Sequence, residues 1–366
     1  MTMTMQFDAI SESRPGPKWH ARWRRSWPAY EAWFAARRGD LGPDRAACLA
    51  AMQRHMPELI PTYQRLVDVV GGGGREARFL SGWCPPSYLG GCSLAAVADD
   101  DSVRLVRNYD LSPDLNEGLL LRTEWVRPVM GMVEFLWGLS DGINDSGLSV
   151  ALAFGGGSHT GRGFGITHIV RYVLETCGDV GEAIAALRRV PSHMDYNLVL
   201  ADPSGRTASV ELIAGGGIRL RERAIATNHQ HGDRAPERPA FTRTRERYGH
   251  LEALLDGAPE PSALPDAFRA DPLYQTGHAE GFGTLFTAEY DPGAATMALH
   301  WPRDKWVQTL QDFKEGTRHV SFDVAQPTNP DWIAAITPWI GGGAADMLDR
   351  PWEDVDWQAF ARSFAA

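Results

Sequence analysis

The residues best suited to chemistry are a cysteine that follows two glycines and a charged tetrapeptide that begins fifteen positions later. Cys92 follows Gly90 and Gly91, and the tetrapeptide is Arg107-Asn108-Tyr109-Asp110. The stretches GCSLAAVAD and VRLVRNYD have the composition of strands, and residues 99–102 supply a turn between them. A hairpin would bring a cation and an acid beside the thiol, which shifts the thiol pKa and orients a base. The simpler alternatives are a buried structural cysteine and a surface ion pair at a strand end.

Two further patterns suggest a nucleotide or a metal, but they lack residues that either ligand would need. Residues 71–74 are all glycine without a following Gly-Lys-Ser/Thr, and GGGSHTGRGFG at 155–165 lacks the strand and helix of a dinucleotide loop. His229 and His231 alternate without third and fourth ligands at a definite spacing. We therefore expect flexible or rim loops at the glycine runs, and neither a metal nor a cofactor.

The composition is that of a folded, acidic protein. The 366 residues are 43% hydrophobic and 22% charged, and the net charge is −10. A nucleic-acid partner would call for a basic surface, so the charge argues against one. No apolar run reaches the roughly 18 residues of a membrane span, and no basic and apolar leader indicates secretion. Four scattered cysteines predict free thiols, so we expect a cytoplasmic protein.

Residues 1–91 differ from the rest of the chain in charge. They carry 12 basic and 8 acidic residues, whereas residues 92–366 carry 24 and 38. The basic residues of the N-terminal segment alternate with tryptophans such as Trp19, Trp23 and Trp27, whose side chains favour burial. We expect this segment to pack on the acidic remainder, the alternative being an unrelated role at the surface.

The pattern of elements favours an α+β fold in which two sheets face each other with helices outside. Helices are predicted from Trp27 to Arg38 and after an N-cap at Asp44, and the latter is broken by Pro57 and Pro61. Short strands follow, separated by a helical stretch that breaks near Gly178 and by a later helix, FTRTRERYGHLEALLDG. GTLFTAEYDP and TMALHWP predict a late hairpin. Residues 310–366 receive no assignment.

Several motifs, in this order, resemble the acyl-coenzyme A:6-aminopenicillanic acid acyltransferase family of autoproteolytic N-terminal-nucleophile hydrolases. This family is related more distantly to penicillin V acylases and bile salt hydrolases. The resemblance covers residues 54–300. The motifs are Gly91-Cys92, RNYD at 107–110, DGINDSGL at 141–148, YNLVLADPSG at 196–205 with Glu211 after it, ATNH at 226–229, and GTLFTAEYDP.

The resemblance implies a four-layer αββα N-terminal-nucleophile hydrolase sandwich with a helical N-terminal segment. It also implies that the chain cuts itself between Gly91 and Cys92. The products are an α fragment, 1–91, and a catalytic β fragment, 92–366, which we expect to stay bound to each other. Cys92 then carries both the thiol nucleophile and, in its α-amino group with an ordinary pKa of about 8, the base.

Roles for individual side chains also follow from the resemblance. Asp110 is expected to orient the α-amino group, Arg107 to support the thiolate or the substrate carbonyl, and Asn197 to donate to the oxyanion. Further residues expected at the substrate are Tyr109, Asn144, Phe154, Asn228 and His229. At Phe154 the chain departs from bile salt hydrolases, because a phenyl ring cannot donate a hydrogen bond, and we expect an apolar acyl pocket there.

The function expected from these residues is cleavage of a small N-acyl amide, peptide-like or β-lactam-like, through an acyl-Cys92 thioester. Water as acceptor gives hydrolysis and an amine gives acyl transfer, and hydrolysis is favoured because water is always present. One alternative is an uncut family member that acts as a binding or structural module. Another is a papain-type hydrolase that uses internal Cys92 and His229, although the Cys-Gly-Ser-Cys-Trp signature of papains is absent. The oligomeric state is left open.

Overall fold

Two β-sheets and the helices that cover them make up the part of the chain that the structure, a computed structural model, describes. This part comprises residues 2–88, 91–157, 159–232, 242–278 and 282–323. Its helices are α1 (Pro17–Ala36), α2 (Arg45–His55), α3 (Ile60–Val69), α4 (Gly74–Ser81), α5 (Ile166–Thr176), α6 (Val180–Arg189), α7 (Thr244–Asp256) and α8 (Leu264–Phe268). Its strands are β1 (Thr2–Ser11), β2 (Gly91–Ala98), β3 (Val103–Leu111), β4 (Leu119–Glu124), β5 (Pro128–Glu134), β6 (Gly138–Asn144), β7 (Ser149–Phe154), β8 (Tyr196–Ala201), β9 (Thr207–Leu212), β10 (Ile218–Arg221), β11 (Ile225–Ala226), β12 (Thr276–Gly277), β13 (Phe282–Asp291), β14 (Thr296–Trp301), β15 (Asp304–Thr309) and β16 (Gly316–Asp323).

The strands form a nine-stranded sheet and a seven-stranded sheet. The first has the order β10-β9-β8-β7-β6-β5-β4-β1-β16, and β1 lies parallel to β4 and antiparallel to β16. The second has the order β11-β2-β3-β13-β14-β15, with β12 paired to β13. Neighbouring strands are mostly antiparallel, and many are joined by short turns, in keeping with the short strands predicted from the sequence.

The two sheets pack face to face, and helices cover both outer faces. Helices α5 and α6 pack on the nine-stranded sheet, and α7 and α8 pack on the other. Side chains such as Phe7, Leu94 and Met132 fill the space between the sheets. This is the predicted α+β fold, a four-layer αββα sandwich, and it is confirmed.

Strand β3 shows why the central strands are apolar on both faces. Leu105 and Tyr109 point toward the nine-stranded sheet, and Val106 points toward α7 and α8. Successive side chains of a strand alternate between its faces, so a strand between two layers buries all of them. Polar residues within such a strand are therefore forced into the interior, where they need partners.

The N-terminal segment packs on the outer face of the nine-stranded sheet through its tryptophans. Trp19 is 1% exposed and donates to the carbonyl of Leu136 at 2.9 Å, and Trp23 stacks on Trp27 with ring centres 4.4 Å apart. The expected packing is confirmed, but it depends mainly on the burial of apolar side chains and less on pairing of the basic residues with the acidic remainder. Arg22 pairs instead with Asp8, in the same segment, at 2.6 Å.

Two expectations about this segment need correction. It is not wholly helical, because β1 is a ten-residue strand inside the nine-stranded sheet. Helix α1 begins at Pro17 and not at Trp27, since proline is favoured in a first turn and the helix continues through Pro28. The Asp44 cap is confirmed, with its carboxylate accepting from the amide of Ala47 at 2.8 Å.

Beyond residue 92 the predicted elements are present. The helical stretch breaks into α5 and α6 around Gly178, and β13 and β14 form the late hairpin. Part of the unassigned tail is β16, and residues 324–366 lie outside the described residues.

Candidate active site

The hairpin of β2 and β3 brings the cysteine and the charged tetrapeptide together as the sequence predicted. Cys92 pairs with Tyr109, and Gly91 pairs with Asp110. The carboxylate of Asp99 accepts from the amide of Ser102 at 2.7 Å and closes the turn. The Cys92 side chain points between the sheets and is 1% exposed.

Arg107 holds the thiol from the same face of the neighbouring strand. Its Nη2 atom lies 3.2 Å from the sulfur, and its Nη1 atom lies 2.8 Å from the hydroxyl of Ser140 and 3.0 Å from the carboxylate of Asp141. The guanidinium carbon also lies 4.3 Å from the centre of the Tyr109 ring. Arg107 on β3 and Asp141 on β6 are both 0% exposed, so this buried ion pair joins the two sheets and directs a cation at the thiol.

The electrostatics of the uncut chain keep the thiol protonated at neutral pH. Burial raises the pKa of Cys92 to about 11, and the charge of Asp110 acts in the same direction, whereas Arg107 opposes both. A thiol with this pKa is a poor nucleophile near pH 7. The cation is thus placed where the negative charge of a thiolate would develop.

Asp110 lies on the opposite face of β3, toward α7. Its carboxylate accepts from the Thr284 hydroxyl at 2.7 Å and lies 3.5 Å from Arg247 Nη1. Burial raises the pKa of Asp110, against the charge of Arg247 and the hydrogen bond from Thr284. The acid is therefore fixed beside the backbone of the β2 start rather than beside the sulfur.

Arg247 and Asn228 hold the backbone of Cys92. Arg247 donates to the Cys92 carbonyl at 2.6 Å and to the Asn228 side-chain oxygen at 2.8 Å. The Cys92 amide donates to that same Asn228 oxygen at 3.0 Å, and the Asn228 amide donates to the Phe154 carbonyl at 3.3 Å. Asn228, expected at the substrate, thus contacts the atom that would become the α-amino nitrogen.

Gly91 occupies a position that no larger residue could fill without movement. A Cβ atom there would lie 2.8 Å from the Asp110 carbonyl oxygen and would collide with the ring of Phe282. The close approach of β3 to the residue before the nucleophile therefore requires glycine.

Tyr109, whose place at the substrate stays a prediction, is 3% exposed and contacts other buried groups. Its ring stacks on Phe286 with centres 5.2 Å apart, and its hydroxyl donates to Glu134 at the end of β5. Burial raises the pKa of Glu134 to about 7, while the charge of Arg107 acts against this rise. Glu134 is thus a second buried carboxyl group, besides Asp141, that interacts with Arg107.

Asn197, expected to donate to an oxyanion, bonds two backbone carbonyls in this structure. Its amide donates to the carbonyls of Thr227 and His229, both at 2.9 Å. In this structure both amide hydrogens therefore bond the segment that carries Asn228 and help to position it. The role of Asn197 as a donor to an oxyanion stays a prediction.

Asn144 and His229 also lie away from the thiol. The Asn144 amide donates to the carbonyls of Leu174 and Cys177, and its oxygen accepts two amides of the β6–β7 turn. These contacts give Asn144 a structural role, and its place at the substrate stays a prediction. His229 bonds the hydroxyl of Thr244 at 3.0 Å, and burial lowers its pKa to about 4. A papain-like pair of Cys92 and His229 finds no support in these contacts.

Phe154, the expected wall of an acyl pocket, ends β7 beside the start of β8. Its ring centre lies 5.7 Å from that of Tyr196. It is 1% exposed, and its carbonyl is the acceptor of Asn228 described above. Its place as a pocket wall stays a prediction.

Two of the buried groups around Cys92 and Arg107 were not predicted from the sequence. Arg247 lies on the buried face of α7, at three- and four-residue spacing from Thr244 and Leu251. A cation at a position where the helical pattern requires an apolar residue is the signal that could have identified it. Glu134 gives a similar signal, since it ends an otherwise apolar strand.

A cavity of about 350 Å³ is lined by residues that directly follow Asn228 in the sequence, and neither Cys92 nor Arg107 lines it. Its lining includes His229, His231, Arg245 and Tyr248.

In the described ranges, no three His, Cys, Asp or Glu side chains come close enough to hold a metal ion. Among the same residues, no helix is long and apolar enough to cross a membrane.

Comparison with known proteins gives one extended sequence match. Residues 97–306 match the sequence pattern described as acyl-coenzyme A:6-aminopenicillanic acid acyl-transferase. No curated protein matches the chain in sequence.

Three solved structures are similar to part of this chain. A mutant of the conjugated bile acid hydrolase from Clostridium perfringens is 13% identical, with a TM-score of 0.40, over 65% of this chain and 99% of that one. Penicillin V acylase from Agrobacterium tumefaciens is 15% identical, with a TM-score of 0.42, over 59% and 84%. The Caenorhabditis elegans ortholog of N-acylethanolamine-hydrolyzing acid amidase is 13% identical, with a TM-score of 0.42, over 59% and 99%.

These low identities and scores carry no further argument. The sequence match, in contrast, spans more than half of the 366 residues and contains Arg107, Asp110, Asn228 and Arg247. The chain belongs to the acyl-coenzyme A:6-aminopenicillanic acid acyl-transferase family.

Proposed function

We propose that this chain cuts itself between Gly91 and Cys92 and then cleaves small N-acyl amides through a thioester on Cys92. The observation that carries the proposal is the environment of the β2 start. A buried thiol faces the Arg107 guanidinium at 3.2 Å, while Arg247 and Asn228 hold the carbonyl and amide of the same residue. A merely structural cysteine needs none of these partners.

Self-cleavage would begin with attack of the Cys92 sulfur on the carbonyl carbon of Gly91. The Gly91–Cys92 amide bond breaks, a thioester forms between Gly91 and the sulfur, and the nitrogen of Cys92 takes up a proton to become a free amine. Water then hydrolyses the thioester, leaving a carboxylate on Gly91 and a thiol on Cys92. Arg107 stabilises the thiolate form, and glycine at position 91 places no side chain of its own beside the carbonyl carbon that is attacked.

Turnover would use the amine released by this cut. The nitrogen of Cys92 lies 3.0 Å from the Asn228 oxygen, and Asp110 is 3.5 Å from the Arg247 cation that bonds the Cys92 carbonyl. An amine held there can accept the thiol proton and return it to the leaving amine of the substrate. The acyl group passes to the sulfur, and water releases it as a carboxylic acid; an amine in place of water would give acyl transfer.

The two fragments are expected to stay bound after the cut. Strand β1 lies between β4 and β16, and Phe7 is 1% exposed between the sheets. The ring of Phe7 lies 4.9 Å from that of Trp301 and 6.2 Å from that of Phe286. Release of residues 1–91 would expose these rings and remove a strand from the middle of a sheet, which is strongly unfavourable.

Mass spectrometry of the purified protein tests the proposal. The wild-type chain should give two species, residues 1–91 and residues 92–366, that co-elute in size exclusion. The Cys92→Ala variant should remain a single 40.3 kDa chain, and the Cys84→Ala variant should be cut like the wild type. An intact wild-type chain would favour the alternative, an uncut family member that acts as a binding or structural module.

A further inference from the structure

The segment just before the proposed cleavage point places an aromatic side chain in a pocket of its own. The ring centre of Tyr88 lies 4.4 Å from that of Phe135 and 6.0 Å from that of Tyr196. The amide of Ile166, the first residue of α5, donates to the Tyr88 hydroxyl at 3.0 Å. The Tyr196 hydroxyl donates to the Tyr88 carbonyl at 3.3 Å. Ring, hydroxyl and backbone of Tyr88 therefore all have partners.

This pocket lies at the same end of the sandwich as the nucleophile. Tyr196 contacts the ring of Phe154, the carbonyl of Phe154 accepts from Asn228, and Asn228 accepts from the amide of Cys92. Tyr88 is three residues before Gly91, so an extended backbone would span at most about 10 Å from one to the other. In self-cleavage Gly91 is the acyl group, and Tyr88 is therefore on the acyl side of the bond that breaks.

The charge around the pocket limits what could replace Tyr88. Burial raises the pKa of Tyr88, and the charge of Glu134 raises it further. Burial and the charge of Glu134 also raise the pKa of Tyr196. Both hydroxyls are thus held neutral, and an anionic group in the same place would be disfavoured by the same burial and, wherever Glu134 is ionised, by its charge.

Resting on the proposed function, we propose that the Tyr88 pocket is the acyl-group site of the cut enzyme and takes an acyl chain that ends in an uncharged hydroxyaryl group. Tyr88 occupies this site in the uncut chain as the first acyl group to be cleaved. After the cut it competes with incoming substrate, because residues 1–91 remain bound and keep it at high effective concentration. Preferred substrates are amides whose aryl ring is separated from the scissile carbonyl by a spacer of up to three residues' length.

Four peptide probes test this specificity without any mutation. Each is an N-acetylated tetrapeptide amide of 7-amino-4-methylcoumarin, with Tyr, Phe, Ala or 4-carboxyphenylalanine followed by the chain's own Leu-Gly-Gly. For the cut wild-type enzyme, kcat/KM should fall about threefold from Tyr to Phe, which loses one hydrogen bond, and about tenfold or more from Tyr to Ala. The carboxylated probe should be no better than the Ala probe. Equal kcat/KM for the Tyr and Ala probes would overturn the assignment.

Variants of the segment test the competition. Tyr88→Ala should lower KM for the Tyr probe about tenfold and leave kcat unchanged, because the pocket is then vacant. Ser87→Ala, on the same segment, should behave like the wild type, and the KM for the Ala probe should be similar in all three enzymes. If Tyr88→Ala is not cut, Tyr88→Phe provides the comparison, with a smaller fall in KM. An unchanged KM in the variant that is cut contradicts the competition.

Failure of this inference and failure of the proposed function give different results. Turnover without preference for Tyr rejects the pocket and keeps the function. If the chain is cut but no probe is hydrolysed, the reaction of Cys92 with iodoacetamide is measured in the presence of the free Tyr-Leu-Gly-Gly acid or its Ala counterpart. Protection by the Tyr acid alone supports the pocket and rejects the amidase activity. A lack of protection, or a chain that is not cut, rejects the pocket as well.

Discussion

Replacing Arg107 by methionine should slow self-cleavage strongly, because it removes the cation that faces the thiol. Methionine keeps most of the side-chain volume, so the change acts mainly on charge. Arg107 Nη2 and the sulfur are 3.2 Å apart in a fully buried site. The wild-type thiol pKa of about 11 already leaves roughly one thiolate in 10⁴ molecules at pH 7.

The size of the effect follows from that contact. A hydrogen bond to a charged group contributes about 1.5–3 kcal/mol, and 1.36 kcal/mol corresponds to about one pKa unit. The pKa of Cys92 should therefore rise by about 1 to 2 in Arg107→Met. At any pH below 10 the thiolate fraction, and with it the cleavage rate, should fall about 10- to 100-fold. The rate of the wild type should itself rise about tenfold for each pH unit between 7 and 10.

The assay follows the appearance of the two fragments on denaturing gels after cell-free synthesis, at pH 7, 8, 9 and 10. Arg107→Met also leaves Asp141 unpaired in the interior, at a cost of about 3–5 kcal/mol, so the double variant with Asp141→Asn separates charge from folding. Arg104→Met is the matched control, because Arg104 lies on the same strand and pairs with Asp291. A folded Arg107→Met chain that cleaves at the wild-type rate would refute the role assigned to Arg107.

Three further results are expected from the buried contacts. Glu134 has a pKa of about 7, raised by burial from 4.5, so its contribution to stability is present below pH 4.5 and is lost as the pH rises to 7. The unfolding free energy of Glu134→Gln, relative to that of the wild type, should therefore increase by about 3 kcal/mol from pH 4 to pH 8 in thermal denaturation. Phe7→Ala should lose about 3–5 kcal/mol in urea unfolding of the uncut Cys92→Ala chain. Asn197→Ala leaves two buried carbonyls without their donor and should cost about 1–3 kcal/mol.

Each of these results has a clear contrary outcome. A pH-independent difference between Glu134→Gln and the wild type would mean that the carboxyl group is not held neutral; Glu124→Gln, at an exposed site, is its control. An unchanged urea midpoint in the Phe7 variant would contradict the burial of β1. A stable Asn197→Ala enzyme whose kcat alone falls about 100-fold or more would support the oxyanion role that the resemblance implies.

The sequence predicted the parts of the site that depend on local pattern. The β2–β3 hairpin placed Cys92 beside Arg107 because alternation and a four-residue turn fix the pairing of neighbouring strands. Asp110 was placed near the nucleophile for the same reason. The face that each side chain occupies was not foreseen, since Asp110 lies on the side of α7 and not on the side of the sulfur.

The remaining differences concern contacts between distant segments. Arg247 and Cys92 are 155 positions apart, and nothing local in either segment indicates the contact. The resemblance assigned Asn144 to the substrate and Asn197 to the oxyanion, whereas in this structure their amides bond backbone carbonyls of other segments. Asparagine serves both purposes equally well, so residue type alone cannot distinguish them.

The position of β1 sets the order in which this protein can be completed during synthesis. Thr4 and Ser321, hydrogen-bonded across β1 and β16, are separated by 317 positions. On the ribosome, the first strand must wait for nearly the whole described chain before its outer partner emerges, and contacts of such long separation form slowly. Until then β1, once paired with β4, is the edge of the sheet and presents unpaired backbone groups to any other strand nearby. The nascent chain is therefore expected to depend on chaperones that shield strand edges, and truncation before residue 316 should leave an aggregation-prone product.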